Sequence, residues 1–315
     1  MSVNINGYIA DGFTMKNAGF CEWSHAVKDG HDYFIKRFLS PVYPVDTTIY
    51  TPEIVQKKRE QCMKYAQNRN RVYKEINKGD TGNIVKIIDF FRFETKFYLV
   101  TEWVEDEKIP VERIAAMDFK QKLVLCRIIV NNVRTLHRNG VVHADIKHDN
   151  MLIKQTTSGK YTAKLMDFDA SFMEDTPPEQ SEDIPFTPAY VAPETILYSM
   201  EECEVIDCKI DVFALGILLH EYLTGFSPRV SEDYETVCDA VMDGQFVTAD
   251  ISIPTHIGNI INKMLLENPE DRPTLDEVFE GLTEIPNIGL SEAQTNNSKS
   301  KRKSYFHAPG TDDLL

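Results

Sequence analysis

His143-Ala144-Asp145-Ile146-Lys147-His148-Asp149-Asn150 places an Asp, a Lys and an Asn at offsets of two and five, just after the turn-forming Asn139-Gly140. Each residue type has a clear chemistry at that spacing. A carboxylate orients and deprotonates a hydroxyl, an ammonium neutralises phosphate charge, and an amide oxygen binds a metal. Seventeen residues past Asn150, Asp167-Phe168-Asp169 adds a second hard oxygen ligand suited to Mg²⁺.

Further motifs follow in order. Ala192-Pro193-Glu194 lies downstream, then Asp211-Val212-Phe213-Ala214-Leu215-Gly216 opening an apolar helix, then Asn268-Pro269-Glu270-Asp271-Arg272-Pro273. Upstream, Tyr33-Phe34-Ile35-Lys36 closes an apolar strand pattern. With these residues the chain resembles the eukaryotic-type protein kinases, as a divergent member. His143 to Asn150 is similar to their H-R-D-L-K-x-x-N loop, Asp167 to Asp169 to D-F-G, Tyr33 to Lys36 to V-A-I-K, and Ala192 to Glu194 is A-P-E unchanged. The resemblance runs from about residue 9 to 284. It implies a bilobal α+β fold, with a β-rich small lobe over about 1–103 and a mainly helical large lobe over about 104–285.

Composition agrees with that class. The chain has 315 residues, 42% of them hydrophobic, and can bury a large core. Its longest apolar runs, such as 212–219, fall far below the ~18–20 residues of a membrane span, so no membrane association is expected. The amino terminus shows no secretory signal. Six scattered cysteines without a C-x-x-C pair suggest reduced thiols in a cytoplasmic setting, not a zinc site. A net charge of −15 argues against nucleic-acid binding and favours basic partners.

Along the chain, residues 9–39 read as strands with a hairpin turn at Asp29-Gly30. Thr51-Pro52-Glu53 starts a helix that runs to about Asn77, with Thr51 as its cap. Residues 83–91 and 96–103 complete a five-stranded small lobe. Residues 119–139 are helical, with Leu123, Cys126, Val130, Val133 and His137 at offsets of three and four. The stretch from about 286 to 315, with its run Lys299-Ser-Lys-Arg-Lys-Ser304, reads as a flexible basic and polar tail.

The resemblance assigns roles residue by residue. Lys36 reaches the α- and β-phosphates of ATP, Asp145 is the catalytic base, and Lys147 steadies the transferred phosphoryl group. Asn150 and Asp167 hold Mg²⁺ or Mn²⁺. Thr101 is the gatekeeper of a hinge in which the Glu102 carbonyl and the Val104 N–H meet the adenine edge, and Leu152 lies beneath the ring. Thr187, in Phe186-Thr187-Pro188-Ala189-Tyr190, bonds Asp145 and Lys147 and, with Lys147, points to Ser/Thr acceptors. Autophosphorylation is a further expectation. His143 packs under Phe168, Asp211 accepts bonds from the catalytic-loop backbone, and Arg272 pairs with Glu194. Asp149 and Glu221 stand where basic-directed family members bind an Arg near the acceptor, so a protein substrate with basic flanks is expected.

The chain departs from the family at several places. Only Gly19 survives of the phosphate-covering G-x-G-x-x-G, which falls on Asn17 to Glu22, and Glu22 would place a negative charge near the phosphates. Phe34 replaces a small residue above the adenine. The helical partner of Lys36 is ambiguous between Glu60 and Glu75, with Glu60 preferred; neither has the expected apolar residue four positions later. Asp169 replaces the D-F-G glycine and puts a charge beside the metals. Ala144 replaces the Arg that receives a phosphorylated activation loop, and the loop itself carries Glu174, Asp175, Glu179, Glu182 and Asp183. These departures leave a pseudokinase scaffold as a competing reading, and a small-molecule kinase as a second.

Overall fold

The computed structural model of the protein describes residues 2–14, 21–45, 48, 50–79, 82–105, 109–179 and 185–283. Gly19 and Asn17, the loop residues Ser181, Glu182 and Asp183, and the tail expected from 286 lie outside the described residues.

The N-terminal region is an antiparallel sheet of six strands rather than the expected five. β1 (Val3–Ile5) and β2 (Tyr8–Ala10) form the additional hairpin around Asn6-Gly7. Both turn residues have positive φ, 52° and 88°, the primed turn that matches strand twist. Its strands have only three residues each, too short for alternation to register. β3 (Cys21–Lys28) and β4 (His31–Phe38) pair across Asp29-Gly30, which also turns with positive φ at both residues.

β5 (Ile87–Phe93) and β6 (Lys96–Glu102) finish the sheet, in the order β1-β2-β3-β4-β6-β5. Residues 83–85, expected in β5, serve another purpose. The Leu165 N–H donates to the Asn83 carbonyl (2.9 Å) and the Val85 N–H to the Leu165 carbonyl (2.9 Å), tying this stretch to the large lobe. Strand alternation divides β4 between two faces. Ile35 is buried in a small core with Ile5, Tyr8, Ala10, Ala26, Tyr98 and Val100, while Lys36 faces the cleft side.

α1 (Pro52–Lys78) starts as expected: Thr51 Oγ1 accepts from the Ile54 N–H at 3.5 Å and Pro52 occupies the first turn, where its missing N–H costs nothing. Its C-terminal half buries Val72, Tyr73 and Ile76 at helical spacing. It ends at Gly79, where a Cβ would lie 2.6 Å from the Asn139 amide and 2.7 Å from the Thr135 methyl, so only glycine lets α1 approach the next long helix.

The rest of the chain is mainly helical: α2 (Val111–Ala115), α3 (Phe119–Arg138), α4 (Pro193–Ser199), α5 (Lys209–Thr224), α6 (Val237–Met242), α7 (Thr255–Met264) and α8 (Leu275–Gly281). α3 buries Leu125, Cys126, Ile129, Val130, Val133 and Leu136, and α5 is buried on almost every side. At Gly216 of α5 a Cβ would meet Leu265 Cδ2 at 2.9 Å, which sets the close packing of α5 on the end of α7. Two short strand pairs frame the functional loops. β7 (Val141–Val142) pairs with β10 (Phe172–Met173), and β8 (Met151–Gln155) with β9 (Tyr161–Leu165). A β-sheet small lobe on a helical large lobe is the bilobal α+β fold the motifs imply. No helix among the described residues is long and apolar enough to cross a membrane.

Candidate active site

The loop between β7 and β8 is held from below by Asp211 in the first turn of α5. Its buried carboxylate accepts from the backbone N–H of His143 (2.7 Å) and Ala144 (2.8 Å), and from His137 Nε2 (3.0 Å). These bonds hold Ala144 at φ 65°, a conformation a non-glycine residue seldom adopts unaided. His143 is fully buried, packs edge-on to Phe168 with ring centroids 5.3 Å apart, and bonds the Met166 carbonyl at 3.2 Å. It is a spacer between two loops, as expected.

Above this base four side chains converge. Lys147 Nζ lies 2.7 Å from Asp145 Oδ2 and donates to Thr187 Oγ1 at 2.8 Å. The Thr187 hydroxyl donates to Asp145 Oδ1 at 2.8 Å. Asn150 Nδ2 donates to the Asp145 carbonyl (2.7 Å) and to Oδ2 (2.9 Å). A Thr thus bridges Asp145 and Lys147 from 42 and 40 residues further along the chain. The Met166 N–H donates to the Asn150 carbonyl at 3.0 Å, so the β8–β9 hairpin sets Asn150 beside the start of the Asp167 turn.

Lys36 reaches this second loop from β4. Its Nζ donates to Asp167 Oδ1 at 2.7 Å and to Asp169 Oδ2 at 2.9 Å. This corrects the expected helical partner: Glu60 is exposed and takes a bond from Gln56, and Glu75 is paired with Lys78. Helix α1 instead points a cation at the loop. Arg69 Nη1 donates to the carbonyls of Phe168 (3.2 Å) and Ser171 (3.1 Å). Arg69 has the apolar residue four positions on, Tyr73, that Glu60 and Glu75 lack. The sequence therefore carried a signal for the inward position, hidden by the sign of its charge.

Burial opposes the charged form of Lys36, yet Asp169 and Asp167 outweigh it and raise its pKa. Burial likewise works against the Asp167 carboxylate, but the Lys36 ammonium overrides it and holds the group below the usual range. Burial and the neighbouring Asp167 push Asp169 the other way.

Glu22 does not face the phosphate side. It pairs with Arg37 (Oε2 to Nη2 2.6 Å), its cross-strand neighbour, and the Arg37 guanidinium lies 4.3 Å over the Phe13 ring on the sheet face opposite Lys36. The expected negative charge near the phosphates is thereby withdrawn. Cys21, one residue earlier, is the group on the Lys36 face; its thiol lies 3.7 Å from Asp169 Oδ2, and burial pushes its pKa up to about 11.

Of the hinge positions, Thr101 and Glu102 end β6 and Val104 follows it. Thr101 is buried directly across from Phe34. Phe34 stacks on Trp23 (5.4 Å), and Trp103 packs edge-on to His25 (4.9 Å). The Glu102 side chain accepts from the Lys86 N–H (2.9 Å) and from Lys164 Nζ (2.5 Å), which fixes the residue whose carbonyl was assigned to the adenine edge. Val104, just past the strand, and Leu152 in β8 are half-buried.

The donor set fits a hard divalent cation. The bonds to Asp167 fall on Oδ1, and the Asn150 amide nitrogen is spent on Asp145, so a carboxylate oxygen and an amide oxygen are what these residues offer. Among the described residues no group of three or more His, Cys, Asp or Glu forms a cation site by itself. Mg²⁺ does not need one, since it is commonly held by one or two protein oxygens together with substrate phosphates.

The acidic loop is partnered by α1. Asp175 pairs with Arg71 (2.5 Å), whose other nitrogen donates to Thr176 Oγ1 (3.1 Å), and Glu179 pairs with Lys64. A separate groove of about 410 Å³ is lined by Glu112, Asp149 and Glu221 beside Lys147 and Thr187. Glu221 Oε2 accepts from the Tyr190 hydroxyl at 2.6 Å, and burial raises the pKa of its carboxyl. Arg272 and Glu194 form the expected two-armed pair (2.5 and 2.9 Å). The remaining Arg272 N–H groups go to the carbonyls of Leu266, Lys209 and Glu267.

Several known proteins are similar to this chain in sequence. A probable myosin light chain kinase of Dictyostelium discoideum is 26% identical over 232 residues, covering 71% of this chain and 57% of that protein. A serine/threonine-protein kinase of Drosophila erecta is 29% identical over 238 residues, covering 71% of this chain and 30% of its own length. One of Drosophila persimilis is 30% identical over 225 residues, covering 69% and 28%. The chain thus spans between about a quarter and just over half of these relatives. The family model of the protein kinase domain matches residues 46–281. That span holds α1, the Asp145 loop, Asp167, the Asp211 clamp and the Glu194–Arg272 pair, and the chain belongs to the protein kinase family.

Proposed function

We propose that this chain is an active Ser/Thr protein kinase that uses ATP with Mg²⁺ or Mn²⁺. The observation that carries the reading is the Asp145–Thr187–Lys147 cluster. A base, an ammonium and a hydroxyl meet within 2.8 Å of one another where an acceptor Ser or Thr would enter. Asp145 accepts the acceptor's proton through Oδ1 or Oδ2, and Asn150 and Lys147 fix its orientation. Lys147 stabilises charge on the phosphoryl group in transit, and Lys36 binds the α- and β-phosphates. Asn150 and Asp167 would hold the metal, which when bound neutralises the developing phosphate charge. Glu102, Val104 and Leu152 would receive the adenine, with Gly19 over the phosphates.

Asp149, Glu221 and Glu112 on one groove support a substrate with Arg or Lys near the acceptor, through charge-assisted hydrogen bonds. None of the six cysteines is in a disulfide, which supports a reducing, cytoplasmic setting. The competing reading, a pseudokinase scaffold, is favoured by one observation: Lys36 is already shared between two carboxylates.

Labelled ATP with Mg²⁺ and basic test proteins separates the two. The parent should label a substrate Ser or Thr, or its own chain, and Asp145→Asn should lose at least about a hundredfold in rate while binding nucleotide within a few-fold. Equal labelling by parent and variant would remove Asp145 from the role of base, and none by either would leave the scaffold.

A further inference from the structure

Lys36 takes both of its carboxylates from one turn of chain, residues 167 and 169, and none from α1. The two are not equivalent. Asp167 engages through Oδ1 and belongs to the proposed metal site, so a cation would compete with Lys36 for it. Asp169 carries no such assignment. Its Oδ2 is 2.9 Å from Nζ and within reach of the Cys21 thiol, on a segment whose backbone is tied to α1 by Arg69. A Lys with a side chain only 10% exposed needs a counter-ion that stays when the metal arrives.

Resting on the active-kinase reading of the same site, we propose that Asp169 is the positioning residue for Lys36. In this arrangement the link between α1 and the site is charge-reversed: the helix supplies the cation, Arg69, and the loop supplies the anion. The consequence is mechanical. Lys36 is held by the loop that also holds the metal ligand. α1 acts one step removed, through the Phe168 and Ser171 carbonyls, and its displacement would loosen the loop before it freed Lys36. The ammonium also offsets the repulsion between two carboxylates 2.7 and 2.9 Å from it, which without Lys36 would repel across a largely buried space.

The test is a double-mutant cycle of Lys36→Met and Asp169→Asn, read in urea unfolding without nucleotide and in steady-state kinetics. A counter-ion requires coupling. Asp169→Asn should be at least about tenfold more favourable to the folding equilibrium in the Lys36→Met background than in the parent, because there it relieves repulsion instead of breaking a pair. In kinetics, Asp169→Asn should lower kcat about tenfold and leave the KM for the protein substrate within twofold, as expected when an interaction acts on the transferring group and not on substrate binding. Coupling below about twofold, or a kcat at or above the parent's, overturns the proposal. If the parent transfers no phosphate, the active reading of the site fails, and the unfolding cycle alone decides whether Asp169 is the counter-ion of Lys36.

Discussion

Arg272→Met strands a buried carboxylate, and its cost can be worked from the structure. The Arg272 side chain is 0% exposed and that of Glu194 5%. Methionine matches much of the volume but removes the charge and all five donors. Breaking a buried pair by deleting one partner costs about 3–5 kcal/mol. Unfolding entropy is about 2.1 cal/mol/K per residue, which over the 283 residues of the folded unit gives roughly 0.6 kcal/mol/K. The melting temperature should therefore fall by about 5–8 °C. Adding Glu194→Leu removes the stranded charge, so the double variant should recover part of the loss. Recovery stays incomplete because the Leu266, Lys209 and Glu267 carbonyls still lack their donors. Thermal melts followed by circular dichroism, with urea midpoints as a second measure, check both numbers. A single-variant shift under about 2 °C, or a double variant no better than the single one, would refute the reasoning that the uncompensated charge sets the cost.

Three further outcomes are expected. Phosphatase-treated protein should keep its rate, because Ala144 offers no receptor for a phosphorylated loop and Asp175 and Glu179 already engage α1; a large drop restored by rephosphorylating Thr176 or Ser181 would contradict this. A peptide array should favour Arg or Lys flanking the acceptor, and Asp149→Ala and Glu221→Ala should each relax the preference. Indifference to basic flanks would count against the groove. His25 bonds Asp11 and Asp32 (2.8 Å each), which raises its pKa above the usual 6.5. A raised folded value means this stabilisation is complete below pH 6.5 and is lost as pH rises through the folded pKa. NMR titration of the His25 ring should give a midpoint above 6.5, and one at or below it would show that the two carboxylates do not hold the cation.

The features legible in the sequence are those encoded over a few residues. Thr51-Pro52 capped its helix and Asp29-Gly30 turned its hairpin because caps and turns are decided by local backbone chemistry. The bonds of Asp211 and Thr187 to the loop, and the pair of Arg272 with Glu194, were also readable, since each residue sits in a motif whose partners the resemblance names. Three things were decided only in the folded molecule. Strand alternation put Glu22 on the face away from Lys36, and a one-residue difference in register reverses such an assignment. Residues 83–85 left the sheet to pair with Leu165, since an extended segment takes whichever backbone partner the packing brings near. The counter-ion of Lys36 came from residue 169 and not from α1, because a charge more than a hundred residues away along the chain is chosen by distance in space. The sequence carries the inventory of charges and the helix period; which anion lies 2.9 Å from Lys36 is set by how α1 and the 167–171 turn pack.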